Sequence, residues 1–286
     1  MKHLSVSFLL IALAGHMAVA ADGIAFGPVR AQPGERVRLS SRSECREGVV
    51  EITKNGKTSR DAMRFYRERE LSWTFREPEA DGTLRGMVEI GKMDTFTTIT
   101  TGGREETIED SSPLNGKMFA MNKAPQGDWT FELDGSIPRQ RIQKEIDELT
   151  VYLKRRWYPE RVVNIGDSWE FDPAWIRMIL QKDLEKAKLI GTMKLRQIRH
   201  TAKKDIAVID ISVRGSGGDF QADGTEQNAR IELKGQVMVD LKTMLDESLE
   251  LEGVLETRSG KVSESKKAKL PIRLVVNKTF AKGAGF

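Results

Sequence analysis

Alternation of apolar and polar residues recurs along almost the whole chain, and it leaves little choice of fold class. Val37 and Leu39 alternate with arginines. Val50 and Ile52 alternate and then meet Asn55-Gly56. Leu71, Trp73 and Phe75 repeat the pattern, as do Trp129, Phe131 and Leu133. Later come Met193 and Leu195, then Ile209, Ile211 and Val213, then Ile231 and Leu233, then Val237, Val239 and Leu241. Leu249, Leu251 and Leu255 follow, and Ile272, Leu274 and Val276 close the series. A period of two sends successive side chains to opposite faces of a strand. Apolar-in, polar-out repeats therefore describe antiparallel sheets with one wet face. Asn-Gly suits a tight hairpin because both positions tolerate positive φ. The expected fold is mainly β: a β-rich α+β architecture of curved antiparallel sheets or a half-barrel, with two amphipathic helices packed on it.

The helices are expected where the period changes. Between Pro138 and Arg156, Ile142, Ile146, Leu149 and Leu153 form one helical stripe. Arg141–Glu145 and Lys144–Glu148 are i,i+4 pairs on the wet face. Ser136 is placed to cap the start, and Tyr158-Pro159 to end it. A second helix is expected over residues 173–189, opened by Asp172-Pro173. Its stripe is Ile176, Leu180, Leu184 and Ala187, widened by Trp175 and Ile179.

Three strands begin alike: PGERVRL (33–39), QGDWTFEL (126–133) and IGDSWEF (165–171). Each has a glycine to make a turn, an acid at the tip, and then large apolar residues on one face. The expected organisation is a signal peptide at 1–20, a first β-rich half at 21–136, a connecting helix at 137–157, and a second β-rich half at 158–286.

The first twenty residues have the layout of a secretory signal: Lys2, an apolar run from Leu4 to Ala14, and Ala18-Val19-Ala20 as the cleavage site. The expected location is periplasmic or secreted, with cleavage near Ala20. No later stretch reaches the roughly 18 apolar residues of a spanning helix, so no transmembrane anchor is expected. Lys and Arg number 46 against 42 Asp and Glu, and the signs are interleaved. That spread argues against nucleic acid as a partner. Lys154-Arg155-Arg156 reads as the last turn of a helix, and Lys266-Lys267-Ala268-Lys269 as a loop. A lone cysteine, Cys45, leaves stability to the core; its charged neighbours favour an exposed turn, its residue type favours burial.

Catalytic motifs fail on inspection. Gly166-Asp167-Ser168 resembles the Gly-Asp-Ser block of GDSL-type esterases, whose serine takes its base from an Asp-x-x-His block. The single histidine after residue 20 is His200, and Gln197 stands where that aspartate belongs. A serine without a positioned base is a poor nucleophile. Residues 219–230 imitate an EF-hand start with Asp219, Gln221, Asp223 and Gly224, but Arg230 occupies the position of the bidentate glutamate. No catalytic residue, metal ligand or cofactor is assigned. Asn277-Lys278-Thr279 is a formal glycosylation sequon.

Bulky aromatics remain. Core filling is the first role expected of them, and Trp129, Phe131, Trp169, Phe171 and Trp175 are also the candidate lining of an apolar-ligand site. The stretches NGKMFAMNKAPQGDWTFELDG (115–135) and ERVVNIGDSWEFD (160–172) make the chain resemble a family of exported bacterial β-rich proteins with a mid-chain Gly-Asp-x-Trp strand start. That resemblance implies a fold type and an envelope location, and no activity. The functional expectation is an exported, non-enzymatic binding or structural module. The alternatives are a periplasmic carrier of an apolar ligand or lipid, and a hydrolase using Ser168. The expected partner is an apolar ligand or an envelope protein.

Overall fold

In a computed structural model, residues 23–282 are described except for 28, 31–33, 78, 126, 133–138, 155–156, 174, 176–187, 221–224 and 262–263. The expected signal peptide and its cleavage site lie outside the described residues. Strand β1 (Glu35–Lys54) runs to Asn55-Gly56, where φ values of 50° and 74° make the two-residue turn into β2 (Lys57–Phe75). Then follow β3 (Leu84–Thr101), β4 (Arg104–Ser111), β5 (Lys117–Lys123) and β6 (Trp129–Glu132). Helix α1 (Arg139–Lys154) intervenes. The second half holds β7 (Ser168–Phe171), β8 (Lys188–His200), β9 (Asp205–Phe220), β10 (Glu226–Asp240), β11 (Leu245–Lys261) and β12 (Glu264–Lys282).

The twelve strands among the described residues belong to one open antiparallel sheet, ordered β6-β5-β3-β2-β1-β12-β11-β10-β9-β8-β7, with β4 paired to β3. The first half of the chain thus walks outward from the centre and the second half walks back inward. The last strand closes beside the first, with Glu35 opposite Lys282 and Lys54 opposite Glu264. Short strands of four residues, β6 and β7, end the sheet.

One face of the sheet carries the core. Across β12 to β8, direct partners such as Leu270, Leu255 and Ile231, or Val276, Leu249, Val237 and Ile209, form continuous buried rows. Helix α1 lays Ile142, Ile146 and Leu149 on this face. A chain of ring contacts links Trp73 on β2 through Tyr152, Trp175 and Trp157 to Phe171 on β7. Its steps of 5.2–6.4 Å total about 24 Å, whereas seven strand spacings of a flat sheet cover about 34 Å. The sheet therefore curls around α1.

The other face carries charges: Arg36 with Glu89, Lys92 with Glu68 at 2.8 Å, Arg42 with Glu44 at 3.1 Å, and Arg273 with Glu250. A strand facing lipid needs apolar residues at those outward positions; these suit water. No helix among the described residues is long and apolar enough to cross a membrane.

Two expectations need correction. Among the described residues the structure shows one full helix, not two. Most of the expected second helix lies outside the described residues, but its end does not: Lys188 and Leu189 begin β8. Leu189 is buried against the sheet and pairs with Gly215 on β9, so sheet pairing claims it. Lys266-Lys267-Ala268-Lys269 is not a loop but part of β12. Its odd residues point outward, while Ala268 pairs with Val50 on the core side.

Candidate functional site

The Gly166-Asp167-Ser168 triplet builds a turn. Gly166 has a φ of 96°, which a side chain resists. The Asp167 carboxylate accepts hydrogen bonds from the Asn164 backbone N–H at 3.0 Å and from Arg161 at 2.9 Å. These two donors, the backbone one first, hold its pKa below the usual carboxylate value. The Gly166 N–H donates to Leu195 and the Leu195 N–H to Asp167, docking the turn on β8. Ser168 then faces water opposite Lys194. Lys194 is exposed, and an amine needs desolvation to serve as a base. His200 lies six residues further along β8, about 20 Å away at the strand rise, and its Nδ1 pairs with Asp205 at 2.9 Å.

Of the five aromatic candidates the structure brings three together. Trp169, Phe171 and Trp175 are buried, and each contacts Trp157, Tyr158 or Phe26. The Trp169 indole donates to the Trp157 carbonyl at 2.7 Å. The Phe171 ring lies on Gly191, where an added Cβ would stand 2.5 Å from it. Trp129 and Phe131 sit half-buried on β6, at the other end of the sheet.

Charged groups also reach the core side. Lys278 is buried, pairs with Asp246, and stands 5.3 Å from the Tyr152 ring centroid and 6.0 Å from that of Trp157. Arg67 and Arg69 project toward the same side, opposite Ser43 and Ser41. Burial lowers the pKa of both, most for Arg69, and Glu145 of α1 works against that shift. The concave side is occupied by helix, rings and these groups.

A concavity lies on the opposite, charged face. It is a groove of about 940 Å³ crossing β2, β1, β12, β11, β10 and β9 near their far ends. A bulge in β1 shapes its floor: one extra residue separates Glu44 from Val49 against both neighbours. Pro271, which has no N–H to give a ladder, sits opposite this bulge. Gly48 fills the bend, because a Cβ there would meet the Met63 carbonyl and the Leu270 side chain at 2.7 Å.

Two rows of cross-strand partners line the groove. One runs Arg60, Glu51, Lys267, Arg258 and Asn228; the other runs Val49, Lys269, Glu256 and Arg230. Sequence reasoning missed this site. Its one legible signal was the spacing of Lys267 and Lys269, two residues apart like the rest of the strand pattern. Among the described residues no group of three His, Cys, Asp or Glu is placed to hold a metal ion.

Neither a family model nor a curated protein matches the chain. Among solved structures, OccK7 (OpdD) of Pseudomonas aeruginosa aligns over 86% of this chain and 99% of its own, at 8% identity and a TM-score of 0.28. An outer membrane channel of Pseudomonas putida aligns over 88% and 98%, at 9% identity and a TM-score of 0.25. A DUF1329 family protein of Desulfovibrio piger aligns over 86% and 87%, at 9% identity and a TM-score of 0.14. Superpositions this loose carry no argument about fold or function.

Proposed function

We propose that this chain is an exported, non-enzymatic binding module of the bacterial envelope, and that it holds its partner in the groove on the charged face. The observation that carries this reading is the division between the faces. The concave face, where a half-barrel would store a ligand, is filled by α1 and the aromatic cluster. The opposite face offers a groove whose volume, about 940 Å³, lies at the upper end of the range for binding sites. Ser168, the one serine singled out as a nucleophile, stands on an open sheet face without a positioned base.

A photo-crosslinking residue placed at Asn228, inside the groove, tests the reading in the source organism, with Lys203 in the exposed β8–β9 turn as the control position. A discrete adduct confined to position 228 is the expected result. No adduct at 228, or the same adducts at both positions, overturns it.

The second reading, carriage of an apolar ligand beneath α1, is favoured by one feature. The indole N–H groups of Trp73 and Trp175 are buried without an acceptor among the described residues, and buried donors need one. Trp169, Phe171 and Trp175 would line that site, while Trp129 and Phe131 stand at the far edge. Native mass spectrometry of protein purified from its host decides this: a chain that carries no lipid removes the carrier reading.

A further inference from the structure

Several cations of the charged face outside the groove are paired: Arg273 lies 3.2 Å from Glu252, Lys234 lies 2.9 Å from Glu232, and Lys92 lies 2.8 Å from Glu68. Inside the groove, Lys269 reaches Glu256 at 3.8 Å. Arg60, Arg258 and Lys267 line it with no ion pair within 4 Å among the described residues, although Arg60 and Lys267 both stand opposite Glu51, and Arg230 stands opposite Glu256 and acts electrostatically on Glu232. Lys267 and Arg258 are moreover direct cross-strand partners, an arrangement in which like charges repel. Five cations against Glu47, Glu51 and Glu256 leave the groove net positive.

We infer that the groove binds an extended acidic peptide segment of a partner protein. The inference rests on the binding role proposed above for the same groove. Charge complementarity selects an anionic occupant. Size selects a chain rather than a small ion, because six strands at 4.8 Å spacing make the groove about 24 Å long, the reach of seven or eight extended residues. Arg60, Lys267, Arg258 and Arg230 stand on four of those strands, so a crossing chain meets cations along its length. A flat membrane surface does not enter the concavity, and it would meet Glu47, Glu51 and Glu256 along the same face. Among the described residues no aromatic side chain lines the groove to stack against a sugar ring. Val49, Pro271 and the stems of the long cations supply apolar contact with the peptide backbone.

The test uses the chain from residue 21 onward and fluorescence anisotropy at low salt. The probes are a labelled octapeptide alternating Asp or Glu with Ser, its Asn/Gln twin, and phosphatidylglycerol vesicles. The acidic peptide is expected to bind and its twin to fail. Arg258→Glu combined with Lys267→Glu should weaken acidic-peptide binding by about tenfold or more, with the melting temperature unchanged because both residues are exposed. Lys203→Glu should bind like the parent. Equal binding of the twin, or acidic-peptide binding that survives the double reversal, overturns the inference. So does vesicle binding that the double reversal abolishes when the peptide does not bind. An adduct at position 228 without acidic-peptide binding would sink the acidic peptide and leave the binding role standing.

Discussion

Cys45 shows how far a single residue's surroundings can be read in advance. Its neighbours Glu44, Arg46 and Glu47 read as a turn, yet the residue lies within β1, just before the bulge, and is 1% exposed. The bulge explains the mismatch. It inserts an extra residue after Cys45, which stands opposite Phe65 with its thiol buried, while Arg46 and Glu47 are exposed and Glu44 pairs with Arg42 and Arg46. Burial pushes the thiol from 9.0 up to about 11, partly offset by the Glu47 backbone N–H. The native state therefore keeps a proton that the unfolded chain loses. Stability from this group is intact below about pH 9 and falls as pH rises toward about 11. A thiol reagent at pH 8 should label Cys45 only in denaturant, and fast labelling of the folded chain would contradict the burial. Ser168 was legible for the opposite reason, since strict alternation with Trp169 and Phe171 fixes its face. Gly127 was not: unlike Gly34 and Gly166 it has no positive φ, so the shared Gly-acid opening hides two backbone geometries.

At the scale of elements, strands were legible because the period of two is local, and α1 because its stripe falls on one side. The end of the second expected helix was misread because Leu189 serves either pattern, and only its pairing with β9 decides between them. The run at 266–269 was misread because three lysines in four residues mask an alternation completed by Ala268 and Leu270. Edge strands show a related economy. β4 is exposed along its whole length and carries Glu105, Glu106, Glu109 and Asp110, which discourages pairing with another chain. Helix α1 is the element on which the filled concave face depends. Ile146 is buried on it and Asp147 is exposed. Ile146→Ala should cost about 2–5 kcal/mol of stability in denaturant melts, and Asp147→Ala should stay within about 0.5 kcal/mol. Equal small effects would mean that α1 is not seated against the sheet.

For the whole molecule, what the sequence could not reveal is the pairing that joins the ends. β1 and β12 share sixteen aligned residue pairs, from Glu35 with Lys282 to Lys54 with Glu264, and no local pattern announces a contact between residues so far apart. The groove depends on that seam, since Glu51, Lys267 and Arg258 come from both sides of it; this is why the site, unlike the strands, was not legible. The seam also bears on whether the two β-rich halves are domains. A domain owns a core and folds alone. Here the buried residues of both wings form one cluster under α1. Cutting between 136 and 137 leaves each fragment with a long unpaired strand, β1 or β12, at the edge of an uncovered apolar face. Such edges are templates for aggregation. Fragments 21–136 and 137–286 expressed separately should therefore fail to give a cooperative melt. Expressed together, they should assemble into a one-to-one complex that unfolds in a single transition. A cooperative melt from either fragment alone would show that each half owns a core, and would make the β1–β12 ladder an interface between domains rather than the centre of one.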